Sequence, residues 1–164
     1  MINTRGKAVM KILVVYESTY GFAHDCAQAL AEKLTGEVSL KKASDMPDPS
    51  GFDCVIAGGS IYMGKVQKAL TQYLDRYGES IKKKKYALFL CCGFAENFNT
   101  YIDANFDLLA PGAAAIECFG GELRIERMKF FHKMITNMML RAENGLKPAA
   151  NPENIDKLAA VINS

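Results

Sequence analysis

A turn rich in hydroxyl groups follows the first strongly apolar segment of the chain. The segment Lys11–Tyr16 is nearly continuous apolar sequence, and beyond Glu17 come Ser18, Thr19, Tyr20, Gly21, Phe22 and Ala23. If a helix begins here, its unpaired N–H groups and the positive end of its dipole favour an anion, and the hydroxyls add donors. Serine and threonine are also common helix caps. The turn therefore predicts either a phosphate site or an ordinary cap.

Two more glycine-containing turns follow later apolar segments. The first is Gly58–Gly64, with Ser60, Ile61 and Tyr62 at its centre, and the second is Cys92–Asn97, which opens with Cys92, Gly93 and Phe94. Glycine lets the backbone pass close to a flat ligand, and each turn carries an aromatic ring that can pack on one. If the three turns meet, they predict a site for a mononucleotide with a planar ring system, its phosphate on the first turn.

The elements that must bring these turns together are short apolar strands alternating with amphipathic helices. Strands are predicted over Lys11–Tyr16, Val38–Leu40, Cys54–Ala57, Tyr86–Cys91 and Ala113–Phe119. Helices are predicted over Gly21–Leu34, Lys65–Tyr77, Phe98–Phe106, Arg127–Arg141 and Pro152–Ile162, with a turn at Glu143–Pro148. Such alternation is typical of an α/β three-layer sandwich around a parallel sheet, whose carboxyl-end loops share one edge. The three turns are therefore expected to converge.

Composition narrows the class of protein. The chain has 164 residues, of which 49% are hydrophobic and 23% charged, and a net charge of +2. This composition predicts one globular domain over 10–164, preceded by a disordered extension over 1–9. The small net charge gives no strongly basic surface of the kind that binds nucleic acids. Five cysteines without C-x-x-C spacing predict a reduced, cytoplasmic chain. The sequence shows no signal peptide and no apolar stretch of membrane-spanning length.

The run Val14–Gly21 resembles the phosphate-loop signature of flavodoxins, and the resemblance extends from Lys11 to the end of the chain. It implies a five-stranded parallel sheet in the order 2-1-3-4-5, FMN as cofactor, and an isoalloxazine ring between the second and third turns. Where flavodoxins usually carry threonine just before and two residues after the glycine, this chain has Tyr20 and Ala23. Two side-chain donors are absent while the backbone amides remain, which predicts weaker FMN binding.

A narrower resemblance concerns three other segments. Ala57–Gly64, Phe119–Arg124 and Lys129–Ile135 are similar to the flavodoxin-domain group that includes quinone-dependent protoporphyrinogen IX dehydrogenase. The resemblance implies an FMN oxidoreductase that acts on a small molecule and passes electrons to a quinone or a redox partner protein. The loop between the fourth strand and the next helix, long in that dehydrogenase, has only Gly93–Thr100 available here.

Three further features have more than one interpretation. The segment Met128–Leu140 carries an apolar arc edged by basic residues, which suits core packing, a peripheral membrane contact, a homodimer or an apolar substrate. For His24 and His132 we expect surface or capping roles. Cys91 and Cys92 point to opposite faces of a strand, where a disulfide between neighbours is strained, so we interpret Cys91 as a core thiol.

Three functions stay open on these grounds. The net charge of +2 favours an oxidoreductase over a flavodoxin-type electron carrier, whose surface is typically strongly acidic. The third is an interaction module that has lost FMN, which the alanine at position 23 favours. A receiver-type signalling domain is set aside, because Glu17 stands alone where such a domain needs paired acidic residues. No side-chain pattern points to a metal site or to an acid–base catalytic pair.

Overall fold

The fold is built on one parallel sheet of five strands. A computed structural model of the protein describes residues 2, 6, 8–122, 124–142 and 148–164. The strands are β1 (Lys11–Tyr16), β2 (Glu37–Lys42), β3 (Cys54–Ser60), β4 (Lys85–Cys91) and β5 (Ile116–Cys118), in the order β2-β1-β3-β4-β5. The predicted α/β sandwich and strand order 2-1-3-4-5 are confirmed.

Among the described residues, α-helices cover both faces of the sheet, and one further helix, the fourth along the chain, lies at the cleft. The helices are α1 (Phe22–Lys33), α2 (Lys68–Ile81), α3 (Phe98–Phe106), α4 (Phe130–Ala142) and α5 (Pro152–Asn163). Side chains of β1 alternate between the faces: Ile12 and Val14 belong to the core beneath α1 and α5, and Leu13 and Val15 to the core beneath α2 and α3. All four are fully buried, because a parallel sheet covered on both sides leaves no solvent-facing row of side chains on its central strands.

Some predicted boundaries were wrong. The helix expected over Lys65–Tyr77 begins only at Lys68, because Lys65 closes a turn with Tyr62 through reciprocal backbone hydrogen bonds of 2.9 and 3.1 Å. The helix expected over Arg127–Arg141 begins at Phe130, after a 3₁₀ turn at Ile125–Arg127. The fifth strand, Ile116–Cys118, is shorter than the predicted Ala113–Phe119.

The N-terminal residues and the turn before α5 are described only in part. Within residues 1–9 the structure describes residues 2, 6, 8 and 9, and Ile2 forms an isolated antiparallel bridge with Ala8. Leu123 and most of the predicted turn Glu143–Pro148, residues 143–147, lie outside the described residues. None of the described helices combines the length and apolar character needed to cross a bilayer.

Candidate functional site

The three predicted turns meet at one cleft on the carboxyl edge of the sheet. All the residues proposed from the sequence line this cleft except Gly21 and Ala23. The empty space within it, counted out to the open mouth, is about 1040 Å³. The cleft has further walls that were not predicted, which include Tyr101, Glu122, Met128, Thr136 and Pro148.

The first turn has the geometry of an anion-binding helix start. Gly21 precedes α1 with a φ of 97°, a conformation that favours glycine. The Gly21 N–H donates to Ser18 Oγ over 3.0 Å, which fixes the serine hydroxyl at the turn. The Ala23 side chain is fully buried in the core beneath α1. Ala23 has no hydroxyl to offer a ligand, and its buried methyl group contributes to core packing instead.

Two arginines from a distant part of the sequence approach this turn. A side chain starting at Gly21 would lie 3.0 Å from Nη1 of Arg124 and 3.2 Å from Nη1 of Arg127. Arg124 also donates from Nη2 to Asp25 at 2.7 Å and to Glu122 at 3.2 Å. Its hydrogen bond holds the pKa of Asp25 below the ordinary value. Guanidinium groups are strong phosphate ligands, so the two side chains bring phosphate-binding N–H groups to the turn, with the charge of Arg124 shared with the two carboxylates.

Gln67 connects the first turn to the second. Its Nε2 donates to Thr19 Oγ1 at 3.1 Å and to Ser60 Oγ at 2.6 Å, and its Oε1 accepts from the Ser60 N–H at 3.3 Å. A side chain at Gly59 would begin 2.7 Å from Gln67 Oε1. Glycine at position 59 thus leaves room for the amide that fixes the spacing of the two turns.

The second turn places Tyr62 in the cleft wall. Tyr62 and Lys65 bracket a two-residue turn in which Met63 has a φ of 50° and Gly64 a φ of 79°, as in a type I′ hairpin. Burial raises the pKa of Tyr62. Its hydroxyl oxygen is buried and has no hydrogen-bond partner among the described residues. A buried hydroxyl without a partner is costly, so this atom suits a polar ligand atom in the cleft.

The third turn is packed tightly against the chain beyond β5. A side chain at Gly93 would begin 2.3 Å from the Pro148 side chain, and one at Gly121 would begin 2.8 Å from Gly93 Cα. Neither position has room for a larger residue without movement of its neighbour. The wall formed by Cys92, Gly93 and Phe94 is therefore supported from behind by residues outside the third turn.

Helix α4 lies across the cleft through His132. The imidazole packs on the Tyr62 ring with 4.2 Å between ring centroids, and its Nδ1 is hydrogen-bonded to the Tyr20 hydroxyl. The expectation of a surface or capping role for His132 was therefore wrong. His24 pairs with the neighbouring Asp25 carboxylate at 3.2 Å and packs on the Tyr16 ring, with 5.2 Å between centroids.

Helix α4 also has a ridge of apolar side chains turned to solvent. Phe130 is 83% exposed, Met134 45% and Met138 62%, and their spacing of four residues puts them on one stripe. Lys129 and Lys133 are exposed beside them. Core packing, the first interpretation of Met128–Leu140, does not account for this ridge, although Thr136 of the same helix is buried.

Sequence inspection missed Gln67, Arg124 and Arg127 as site residues. No sequence motif marks Gln67, because its role depends on hydrogen bonds to Thr19 and Ser60 in two different turns. The arginines were noted only as parts of a resemblance and of a helix edge, and the path of the chain after β5 returns them to the first turn. Among the described residues no cluster of histidine, cysteine and acidic side chains could hold a metal ion.

Comparison with known proteins agrees with this geometry. Residues 13–148 match the family model of the flavodoxin domain, and the chain belongs to that family. No curated protein sequence matches the chain. The narrower likeness to the protoporphyrinogen dehydrogenase group is not decided by this match.

Solved structures share the fold at low sequence identity. The flavodoxin of Streptococcus pneumoniae TIGR4 is 15% identical with a TM-score of 0.56, over 93% of this chain and 97% of that one. A short-chain flavodoxin associated with a non-canonical PDU bacterial microcompartment is 21% identical with a TM-score of 0.54, over 79% and 98%. A mutant flavodoxin of Fusobacterium nucleatum, bound to flavin mononucleotide, is 16% identical with a TM-score of 0.53, over 66% and 68%.

Proposed function

We propose that this flavodoxin-domain protein binds FMN in the cleft and works as an oxidoreductase. The observation that carries the proposal is the arrangement at the first turn. A helix N-terminus, a positioned serine hydroxyl and two guanidinium groups come together at this turn, and each of these groups is a known type of phosphate ligand. The Fusobacterium relative, of the same fold, is a flavodoxin bound to flavin mononucleotide.

The residues present fit this cofactor. The phosphate end would lie on the turn Ser18–Phe22, where Arg124 and Arg127 offset the two threonines that flavodoxins usually have. The planar ring would lie between the wall of Ser60, Ile61 and Tyr62 and the wall of Cys92, Gly93 and Phe94. The unpartnered hydroxyl of Tyr62 gives one buried polar atom for which a ligand supplies the partner.

When bound, FMN supplies the one- and two-electron chemistry, and the chain supplies position and electrostatics. Gln67 holds the first two turns at a fixed separation through Thr19 and Ser60. His132 and Tyr20 form a hydrogen-bonded pair beside the Tyr62 ring and so fix the position of these side chains.

The cleft favours an oxidoreductase over an electron carrier. A carrier exposes the ring edge to a docking protein. Here Met128, just before α4, and Thr136 of α4 line the cleft, and His132 packs on Tyr62. This creates a partly enclosed apolar space beside the proposed ring position. Its walls suit a planar small molecule of the quinone class, as in the dehydrogenase group that the sequence resembles, with a redox partner protein as the alternative electron acceptor.

The first experiment is a visible absorption spectrum of the purified protein, followed by titration of FMN fluorescence. A two-banded flavin spectrum or saturable quenching is expected. If the protein is colourless and ignores high micromolar FMN, the turn is only a helix cap and the interaction-module function takes its place. Once binding is established, slow electron exchange with flavodoxin reductases is expected for an oxidoreductase, and fast exchange would identify an electron carrier.

We further propose that the exposed ridge of α4 rests on an anionic phospholipid surface. Its three apolar side chains are flanked by Lys129, Lys133 and Arg141, and α4 carries no acidic residue. Replacing both Lys129 and Lys133 by glutamine is expected to lower partitioning onto phosphatidylglycerol vesicles roughly 30-fold, since each lysine contributes about 1 kcal/mol near such a surface. Vesicle sedimentation measures the effect.

A matched control removes the same charge elsewhere. Lys41 on β2 and Lys157 on α5 are exposed, and their replacement by glutamine should leave vesicle binding nearly unchanged. Binding of the wild-type protein should also weaken at high salt, as surface electrostatics are screened. Equal partitioning onto neutral and anionic vesicles contradicts the proposal. A concentration-dependent dimer in sedimentation velocity that the Phe130→Ser variant abolishes would instead assign the ridge to a homodimer.

A further inference from the structure

Two cysteines from neighbouring strands meet behind one wall of the cleft. Cys92 follows β4 and lines the cleft, and Cys118 ends β5. Their sulfur atoms are 3.3 Å apart. Both residues belong to the core on the side of α2 and α3, whereas Cys91 belongs to the core on the opposite face. The pair therefore forms through the tertiary structure and is unrelated to the adjacency of Cys91 and Cys92 in the sequence.

The backbone allows these two sulfur atoms to approach each other. Leu90 is the register partner of Cys118, and Cys92 lies two residues further along, so its side chain returns to the same face. The Phe119 N–H donates to Leu90 O at 3.0 Å, which holds the two chain segments together up to the cleft. A disulfide needs a sulfur separation of about 2.05 Å, so closure requires the sulfur atoms to move closer by little more than 1 Å.

The two thiols are electrostatically unequal. The hydrogen bond between the two thiols, with further help from the backbone at Gly120, lowers the pKa of Cys118, although burial opposes this shift. The same hydrogen bond, followed by burial, raises the pKa of Cys92. Two thiols in contact, one of them with a lowered pKa, are the pairing that thiol oxidation uses, since the thiolate is the nucleophile.

We propose that Cys92 and Cys118 form a reversible dithiol–disulfide centre that reacts with hydrogen peroxide or a small organic hydroperoxide entering through the cleft. Cys92 lines the cleft and Cys118 lies behind it with 8% of its surface exposed, so the peroxide reaches Cys118 past the Cys92 side chain. The Cys118 sulfur attacks a peroxide oxygen, the O–O bond breaks, and Cys118 becomes a sulfenic acid as water or an alcohol leaves. The Cys92 sulfur then attacks Cys118, the S–S bond forms, and the sulfenic oxygen leaves as water with the Cys92 proton. With hydrogen peroxide, two thiols and one peroxide give one disulfide and two waters.

The disulfide changes the wall of the proposed ring site. It ties the start of the third turn to β5 and removes the Cys92 thiol from the cleft lining. Neither step needs a bound flavin, so the inference stands apart from the proposed function. Cys26 and Cys91 provide an internal comparison, because their mutual hydrogen bond and the burial of Cys91 raise the pKa of Cys91 well above its ordinary value.

The test is peptide mapping of the full chain. The reduced protein is treated with a small molar excess of hydrogen peroxide, alkylated, and cleaved with an endoproteinase specific for glutamate. Cleavage after Glu96 and Glu117 separates Cys92 from Cys118, whereas trypsin would leave both in one peptide because no lysine or arginine lies between Lys85 and Arg124. The expected product is a linked peptide pair, sequenced to Cys92 and Cys118, that dithiothreitol separates.

Two variants sharpen the result. Cys91→Ser should retain the linked pair, and Cys92→Ser should lose it while Cys118 proceeds to sulfinic acid, since its resolving thiol is gone. The wild-type map alone decides the proposal if either variant fails to fold. Sulfinic acid at Cys118 of the wild-type protein without a link, a link between Cys26 and Cys91 instead, or unmodified Cys118 after peroxide treatment would each overturn it.

Discussion

Replacing Arg124 and Arg127 together by glutamine is expected to lower the affinity for FMN by at least about 100-fold, while the affinity for riboflavin changes less than about threefold. Both guanidinium groups lie at the turn that would hold the phosphate, and a hydrogen bond to a charged group contributes about 1.5–3 kcal/mol. Riboflavin has the same ring and lacks the phosphate. Fluorescence titration of the two ligands separates the phosphate end of the site from the ring end.

The control for this pair is Lys129→Gln with Lys133→Gln. It removes an equal positive charge from two exposed positions at the start of α4. FMN affinity should stay within about twofold, because exposed charges are screened by salt. An equal loss of riboflavin and FMN affinity would mean that the arginines only support the fold, through Asp25 and Glu122. Unchanged FMN affinity would place the phosphate elsewhere.

Replacing Gly58 by alanine is expected to lower the free energy of unfolding by about 3 kcal/mol or more. A methyl group at this position in β3 would lie 2.4 Å from both the ring and the carbonyl oxygen of Phe89. Phe89 is fully buried and stacked on Phe119 with 4.8 Å between ring centroids, so it has little space to move. Overpacking a close-packed core costs about 1–3 kcal/mol, and more where the backbone itself is in contact. Urea unfolding followed by circular dichroism measures the change.

Gly78→Ala provides the matched comparison. Gly78 lies within α2, where an added methyl group meets nothing within 4 Å. The substitution should raise the free energy of unfolding by about 0.4–1 kcal/mol, because alanine loses less conformational freedom in a helix. If Gly58→Ala does not lower the free energy of unfolding, β3 and Phe89 are less tightly packed than the structure indicates.

The fold followed from the sequence because its strands are buried on both faces. A continuous apolar run such as Ile12–Tyr16 cannot alternate polar with apolar residues when both faces of the sheet are covered, so its pattern already indicates a parallel central strand. The helical stripes between such runs predicted the covering layers. The predictions were wrong at the ends of elements. At Lys65, for example, the backbone hydrogen bonds of a two-residue turn make the helix begin later than predicted, and helix propensities do not describe such hydrogen bonds.

The amino-acid sequence by itself determined which turns meet at the candidate site. The carboxyl ends of parallel strands share an edge, so Ser18, Tyr62 and Phe94 were placed in one cleft by topology alone, and the structure brings all three there. Only the tertiary structure decided what surrounds them. Arg124, His132 and Cys118 reach the first, second and third turns along the path of the chain near and beyond β5. No periodicity encodes such contacts, because they join residues that are distant in the sequence and become neighbours only when the core is packed.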